Sequence, residues 1–527
     1  MVRLLLRRAV TQSNVEADQP SFVMGAIARR NTQKVSHLLA ADIRRQILDG
    51  QLTADQQLPP EADLTAQLQI SRETLREALR ILESQQLVEI KRGRGGGAVV
   101  RLPGIEAVGR YVALVLQLRK TTVAHLEEVR SVIEPSAAEQ LAKHAGAHEL
   151  DVLVELHDAE RAAQDDPLAF VTAMSAFDQA VIELAGNQTL AVITGVFRDI
   201  YAGQVYSAIG AGDNGSAAQI ARRVIVSHSA FLDAARRGDA SLANTTWSDY
   251  LFTTGRMLVS RNLSRQLIDV APLWRAQAGQ ARAEPTPRRA LVVAAEIRAR
   301  IAEGRLKDGD RLPPLHDLAD EFEISRPTLR EALRILEMEF LLDLRTGDRG
   351  GATIRTPSTR VAAQMSGIVL EARKTTVADC FRALRLIEPP VIGLIASRIN
   401  AKQLDALHAM NARLAVSTED TPQFVTTWRE AEGMAFSAVR NPALTVIAEV
   451  LHWIRVGVES AVIADVKDLP SAHKTNRKVQ GLFAQFVVAA SEHDSVRASQ
   501  VWAECLKVNA VMEESEFGQR LLRDLME

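Results

Sequence analysis

The chain repeats itself. The segment ISRETLREALRILE that begins at Ile70 returns as ISRPTLREALRILE from Ile324, a displacement of 254 residues. The same displacement links Leu58-Pro59-Pro60 with Leu312-Pro313-Pro314, and the RKTTVA that starts at Arg119 with the one at Arg373. It also links Ile133-Glu134-Pro135 with Ile387-Glu388-Pro389, and Asn187 with Asn441; Trp247 pairs with Trp502 after a drift of one residue. A repeat held in register over such a span constrains the fold more than any single motif. Solenoid repeats run to about 20–50 residues, so a unit of this size is a duplicated multidomain protein. The full 527 residues are too many for one core. Residues 271–288, rich in Ala, Pro and Arg, read as the linker between copies, and residues 1–33 as a disordered tail.

Within each copy a short unit precedes a long one. In copy one, Leu38, Leu39, Ile43 and Ile47 fall at helical spacing and Gly50 supplies a stop. Copy two repeats this with Val292, Val293, Ile297, Ile301 and Gly304. The LPP loop follows, then a short helix carrying Leu64 and Leu68. Ser71 and Ser325 suit N-caps of a third helix, and Pro327 is tolerated in a first turn. Leu75, Ala78, Leu79 and Leu82 form its buried stripe, and Arg72, Arg76 and Arg80 form a second stripe. LVEIKRGRGGGAVV then reads as a hairpin with a glycine-rich turn. Three helices and a hairpin make a winged helix-turn-helix, expected over residues 34–102 and again over 289–356.

That arrangement fits DNA. A helix enters the major groove with its N-terminal residues toward the base edges, where a guanidinium can grip guanine or a phosphate. The bland alternative is a solvated helix face with local salt bridges. Cap, hairpin and duplication together favour DNA. The net charge of the chain is −2, so the attraction must be local. Glu73 and Glu77 weaken the first patch, yet residues 72–94 still carry six Lys or Arg against four acids. Residues 326–349 carry five against five, so the second reader is expected to bind DNA more weakly.

These residues resemble the GntR family of bacterial transcription regulators. The carrying features are the LPP loop, SR-x-TLREAL, and a wing ending in GGAVV or GGATI. The resemblance implies DNA contacts from Arg72, Thr74, Arg76, Gly93 and Arg94, and from Arg326, Thr328, Arg330, Gly347 and Arg349. One position departs: the arginine usual at the start of the second helix is Ala62 here and His316 in copy two. Residues 106–270 and 360–527 are amphipathic and helical by pattern, without convincing strands. EVRSVIEPSAAEQLA, LAGNQTL and SHSAFLDAARRGDASLA resemble the FCD effector domain of the FadR-like subfamily, an all-α bundle. The expected fold class is therefore mainly α, two winged helix-turn-helix domains each followed by an all-α bundle.

Such bundles commonly hold small carboxylates beside a metal bound by one Asp and three His. Here those places are Met174, Asp178, His228 and Tyr250, and in copy two Trp428, Glu432, Phe483 and Cys505. That set is poor for a divalent ion, and no metal is expected. Arg130 occupies a place that can face an effector carboxylate; the alternative is a pair with Glu134. Arg130, Asp178, His228 and Tyr250 are the candidate effector residues, while Leu384 replaces Arg130 in copy two.

The expected function is a sequence-specific transcription regulator, a repressor tuned by a small organic acid. The duplication suggests an internal pseudo-dimer on an imperfect palindrome of double-stranded DNA; the rival is a homodimer of tandem chains. A DNA-binding architectural protein with vestigial pockets is the alternative. No Walker loop, nucleophile elbow or metal-ligand motif argues for an enzyme, and no cofactor is implied. Two cysteines without ligand spacing fit a reducing compartment. No apolar run reaches spanning length, so a cytoplasmic protein without a membrane partner is expected.

Overall fold

The computed structural model describes residues 35–85, 87–91, 97–102, 104–209, 214–258, 264–270, 289–345, 351–466, 470–508 and 518–522. The expected tail 1–33 and linker 271–288 lie outside them. The first winged unit comprises α1 (Val35–Leu48), α2 (Glu61–Leu68), α3 (Arg72–Ser84), β1 (Val88–Lys91) and β2 (Gly97–Val100). Its bundle comprises α4 (Ile105–Leu118), α5 (Val123–His144), α6 (Ala147–Ala162), α7 (Pro167–Glu183), α8 (Gln188–Ile209), α9 (Asn214–Arg236) and α10 (Ala240–Leu258). The second winged unit comprises α11 (Arg289–Ala302), α12 (Leu315–Glu321), α13 (Arg326–Met338), β3 (Leu342–Arg345) and β4 (Gly351–Ile354). Its bundle comprises α14 (Thr359–Ala372), α15 (Val377–Arg398), α16 (Ala401–Val416), α17 (Thr421–Ser437), α18 (Pro442–Val466), α19 (Pro470–Ser491) and α20 (Ser495–Lys507). The fold is mainly α, with winged helix-turn-helix units and helical bundles.

Local chemistry sets the elements. Gly50, at φ +76°, ends α1 in the left-handed region, where a side chain would be strained. Ser71 caps α3 by accepting from the Thr74 N–H at 3.0 Å, and Ser325 caps α13 from Thr328 at 3.3 Å. Leu75, Ala78, Leu79 and Leu82 are all buried. The wings are antiparallel two-stranded sheets, Val88 opposite Val100 and Leu342 opposite Ile354. The loop before LPP lies along the wing, with Leu58 N–H donating to Ala98 O at 2.7 Å. Each bundle is built around its second helix. The repeated tryptophan is locked there by the glutamate of the repeated Ile-Glu-Pro: Trp247 Nε1 donates to Glu134 at 3.2 Å, and Trp502 Nε1 to Glu388 at 2.7 Å. Neither bundle is wholly helical. Thr122 pairs with Leu267, and Thr376 with Leu521, as single antiparallel bridges.

The two bundles pack on each other through equivalent surfaces. Helix α4 meets α14, and α5 meets α15. Asn187 Nδ2, at the start of α8, donates to Asp379 O at 3.0 Å. Its repeat mate Asn441, at the start of α18, donates to His125 O at 3.0 Å, and His125 is the mate of Asp379. This reciprocity is that of an isologous interface. The halves differ in detail: Asp379 accepts from Thr189 N–H at 2.8 Å and Gln188 N–H at 3.3 Å, whereas Glu128 takes Asn441 at 2.9 Å and Arg398 at 3.0 Å.

The winged units are exchanged. The core of the first unit is completed by Ile368 and Ala372 of α14, a helix of the second bundle. Arg44 of α1 reaches the buried carboxylate of Glu371 on α14 at 2.5 Å. The second unit instead packs α11 against α4, where Gln117 Nε2 donates to Ala302 O at 3.2 Å. Each reader thus rests on the first helix of the other copy's bundle.

Candidate nucleic-acid interface and buried ion cluster

The N-terminal turns of α3 and α13 present Arg72, Arg76, Arg326 and Arg330, all exposed. Arg76 Nε pairs with Glu61 at 3.1 Å, an exposed pair of little worth to stability. Glu61 corresponds to Leu315, and among the described residues no carboxylate pairs with Arg72, Arg80, Arg326 or Arg330. The hydroxyls of Thr74 and Thr328 lie 2.8 Å from those of their caps, Ser71 and Ser325. Gly93, Arg94, Gly347 and Arg349 lie outside the described residues. Ala62 and His316 are exposed, and His316 faces Asp317 at 2.9 Å.

The four candidate effector residues of copy one come together. Arg130 Nη2 donates to Asp178 at 2.6 Å. Its Nε and Nη2 bond both oxygens of Glu134, at 2.7 and 3.1 Å, so the pairing weighed from sequence as the alternative is present. Tyr250 donates its hydroxyl to Asp178 at 3.0 Å. His228 Nε2 faces Asp178 at 3.3 Å, and its Nδ1 faces Glu160 at 2.9 Å. The ring stacks on Phe177 at 4.3 Å between centroids.

All these groups are buried, and their charges depend on one another. Burial alone would strip the proton from His228, but the Glu160 and Asp178 carboxylates outweigh it and push its pKa up to about 9. Burial would likewise protonate Asp178; the Arg130 guanidinium and His228 prevail and hold it below the usual carboxylate range. Burial, then the neighbouring Asp178, keeps Tyr250 protonated well past its ordinary value. The result is a buried set of two cations and three carboxylates, with His157 Nδ1 also 3.1 Å from Glu160.

This set does not fit a metal. Met174 offers no hard donor, and Asp178, the donor that remains on that helix, already binds a guanidinium. Among the described residues no group of three or more His, Cys, Asp or Glu could hold a metal ion.

Copy two rebuilds the cluster from another helix. Leu384 stands where Arg130 stands, and Arg455 stands where copy one has Tyr201. Arg455 bonds Glu432, the mate of Asp178, and lies 3.7 Å from Glu388, the mate of Glu134. In copy one the Arg130 guanidinium lies over the Tyr201 ring, 5.1 Å from its centroid. The cation has therefore moved from the second bundle helix to the fifth, onto equivalent carboxylates. Arg455, Glu134, Glu160 and Glu388 were not singled out as site residues from the sequence. The signal was the paired exchange of Arg130 for Leu384 and Tyr201 for Arg455 between repeat columns.

Comparison with known proteins follows this division. Residues 36–97 and 289–351 match the model described as bacterial regulatory proteins, gntR family. Residues 125–252 match the FCD domain. An uncharacterized HTH-type transcriptional regulator of Mycobacterium tuberculosis is 27% identical over 43% of this chain and 90% of its own length. The HTH-type transcriptional repressor NanR of Shigella sonnei is 26% identical over 29% of this chain and 59% of its own length. A solved GntR structure from Streptococcus agalactiae is similar at 20% identity, covering 42% of this chain and 99% of that one, with a TM-score of 0.33.

Proposed function

As a member of the gntR family of bacterial regulatory proteins that carries an FCD domain, the chain is a transcriptional regulator, and we propose that it holds both halves of a dimer in one polypeptide. The two winged domains occupy one imperfectly palindromic operator, with Arg72, Arg76, Arg326 and Arg330 at the groove and the wings on the flanking backbone. Occupancy represses transcription, as the name of NanR says of that protein. The observation that carries the pseudo-dimer is the reciprocal interface, Asn187 on Asp379 and Asn441 on His125. Sedimentation with a duplex containing a single site is expected to give one chain per duplex. Two chains per duplex would exclude the internal pairing and support a homodimer of tandem chains.

A small organic acid tunes this binding by competing with Asp178 and Glu134 for Arg130. The second reading, an architectural DNA-binding protein with vestigial pockets, is favoured by a specific observation: Glu134 and Asp178 already take the Nε and Nη2 donors of Arg130. Thermal-shift screening with small mono- and dicarboxylates separates them. A ligand at a hundred times its Kd adds about 2.7 kcal/mol of stability, a shift of several degrees. Silence across the whole set would retire the effector reading.

A further inference from the structure

The two recognition helices touch each other. Arg334 on α13 donates from Nε to Glu83 Oε1 on α3 at 3.1 Å, and its Nη2 bonds the other carboxylate oxygen. Glu83 is nearly buried and Arg334 one-quarter exposed, so this fork-on-carboxylate contact is shielded from water. Glu83 is also fixed within its own reader, because it accepts the Ile90 N–H of the first wing at 3.3 Å.

The contact is made in one sense only. The repeat mate of Arg334 is Arg80, and that of Glu83 is Glu337. A symmetric pair would join Arg80 to Glu337. Instead Arg80 is exposed and has no ion-pair partner among the described residues, while Glu337 accepts the Leu344 N–H of its own wing at 3.2 Å.

The position of the bridge matters for DNA. It joins the C-terminal halves of both helices, away from the ends that carry Arg72 and Arg326. At 1.5 Å per residue, Arg72 lies about 16 Å along α3 from Glu83, and Arg326 about 12 Å along α13 from Arg334. With helix axes about 10 Å apart, the two ends are separated by at most about 38 Å. One DNA turn of about 34 Å is within reach only if the helices run nearly in line, and two turns are out of reach.

We propose that the Glu83–Arg334 ion pair is a spacing determinant: it pins the two recognition helices together, so that the chain discriminates operators by the distance between their half-sites. This rests on the reading of one chain per operator. Readers joined only through the polypeptide would tolerate a range of spacings; pinned readers would not.

The test uses the full chain and an operator selected from a random pool. Duplexes are made with one to five base pairs inserted between the half-sites. The wild type is expected to lose about tenfold or more in affinity on the first insertions, the scale of one lost specific contact. Arg334→Gln is expected to flatten that profile. Glu83→Gln, whose amide oxygen still accepts from Ile90, is expected to do the same. Arg334→Gln and Glu83→Gln proteins that keep the wild-type profile overturn the proposal. So does a loss equal at every spacing, which marks Arg334 as a phosphate contact. A wild type that seats two chains on one operator defeats the underlying reading, whereas a one-chain complex with unchanged variant profiles defeats the pin alone.

Discussion

Replacing Asp178 with alanine destabilises the protein by roughly 3–5 kcal/mol, the cost of leaving a buried charge without its partner. Asp178 receives Arg130 at 2.6 Å and Tyr250 at 3.0 Å, and faces His228 at 3.3 Å. Its removal takes the acceptor of a buried phenol and one of the two carboxylates of a buried guanidinium at once. Denaturation in urea reads the loss, and a change below about 1 kcal/mol would show that the cluster relaxes or admits water. The cluster also predicts a pH window. His228 has a folded pKa of about 9, above its ordinary value of 6.5. Its contribution is complete below 6.5 and disappears as pH rises through 9. Asp178 is depressed, so its contribution is present above its ordinary 3.8 and lost as pH falls through the lower folded value. In the Asp178→Ala protein the loss of stability between pH 6.5 and 9 shrinks, because Glu160 alone is left to hold the imidazolium.

Reversing charge at Arg76 and Arg330 together abolishes specific DNA binding, by about a hundredfold or more, since each such contact is worth about 1–3 kcal/mol. Both side chains are exposed on helices whose buried faces lie elsewhere, so circular dichroism and melting should not change. The dependence of affinity on salt should weaken by about two counterions. The single variants divide the effect. Arg76→Glu should cost more than Arg330→Glu, because the first reader carries the larger local positive charge. Full affinity in the double variant would remove these helices from the groove.

The periodic features of this fold were legible. The apolar stripe of α3, the Ser71 and Ser325 caps, the hairpins and the helical bundles follow from spacing and from single side chains acting within one turn. The exchange of readers was not, because nothing local distinguishes a core completed by Ile368 from one completed by its own copy's Leu114. Glu371 gives a hint only in retrospect, as a buried carboxylate where copy one has Gln117. The candidate pocket was legible in its membership but not in its state. Arg130, Asp178, His228 and Tyr250 do converge, yet Glu160 arrives from α6, a helix that no motif marked. The cation of copy two was not legible at Leu384, the position equivalent to Arg130. Arg455 supplies one from α18, and a column-by-column reading cannot see a charge that changes helices while keeping its partners.

Joining the two bundles through a reciprocal surface has a consequence for dosage. A regulator assembled from separate chains falls apart on dilution, and its promoter occupancy then drops with the square of its abundance. Bundles held in one chain face each other at an effective concentration on the order of millimolar, whatever the number of molecules in the cell. Where one chain is the unit that occupies the operator, as proposed, occupancy scales in direct proportion to copy number, and a modest change in expression is transmitted without a threshold.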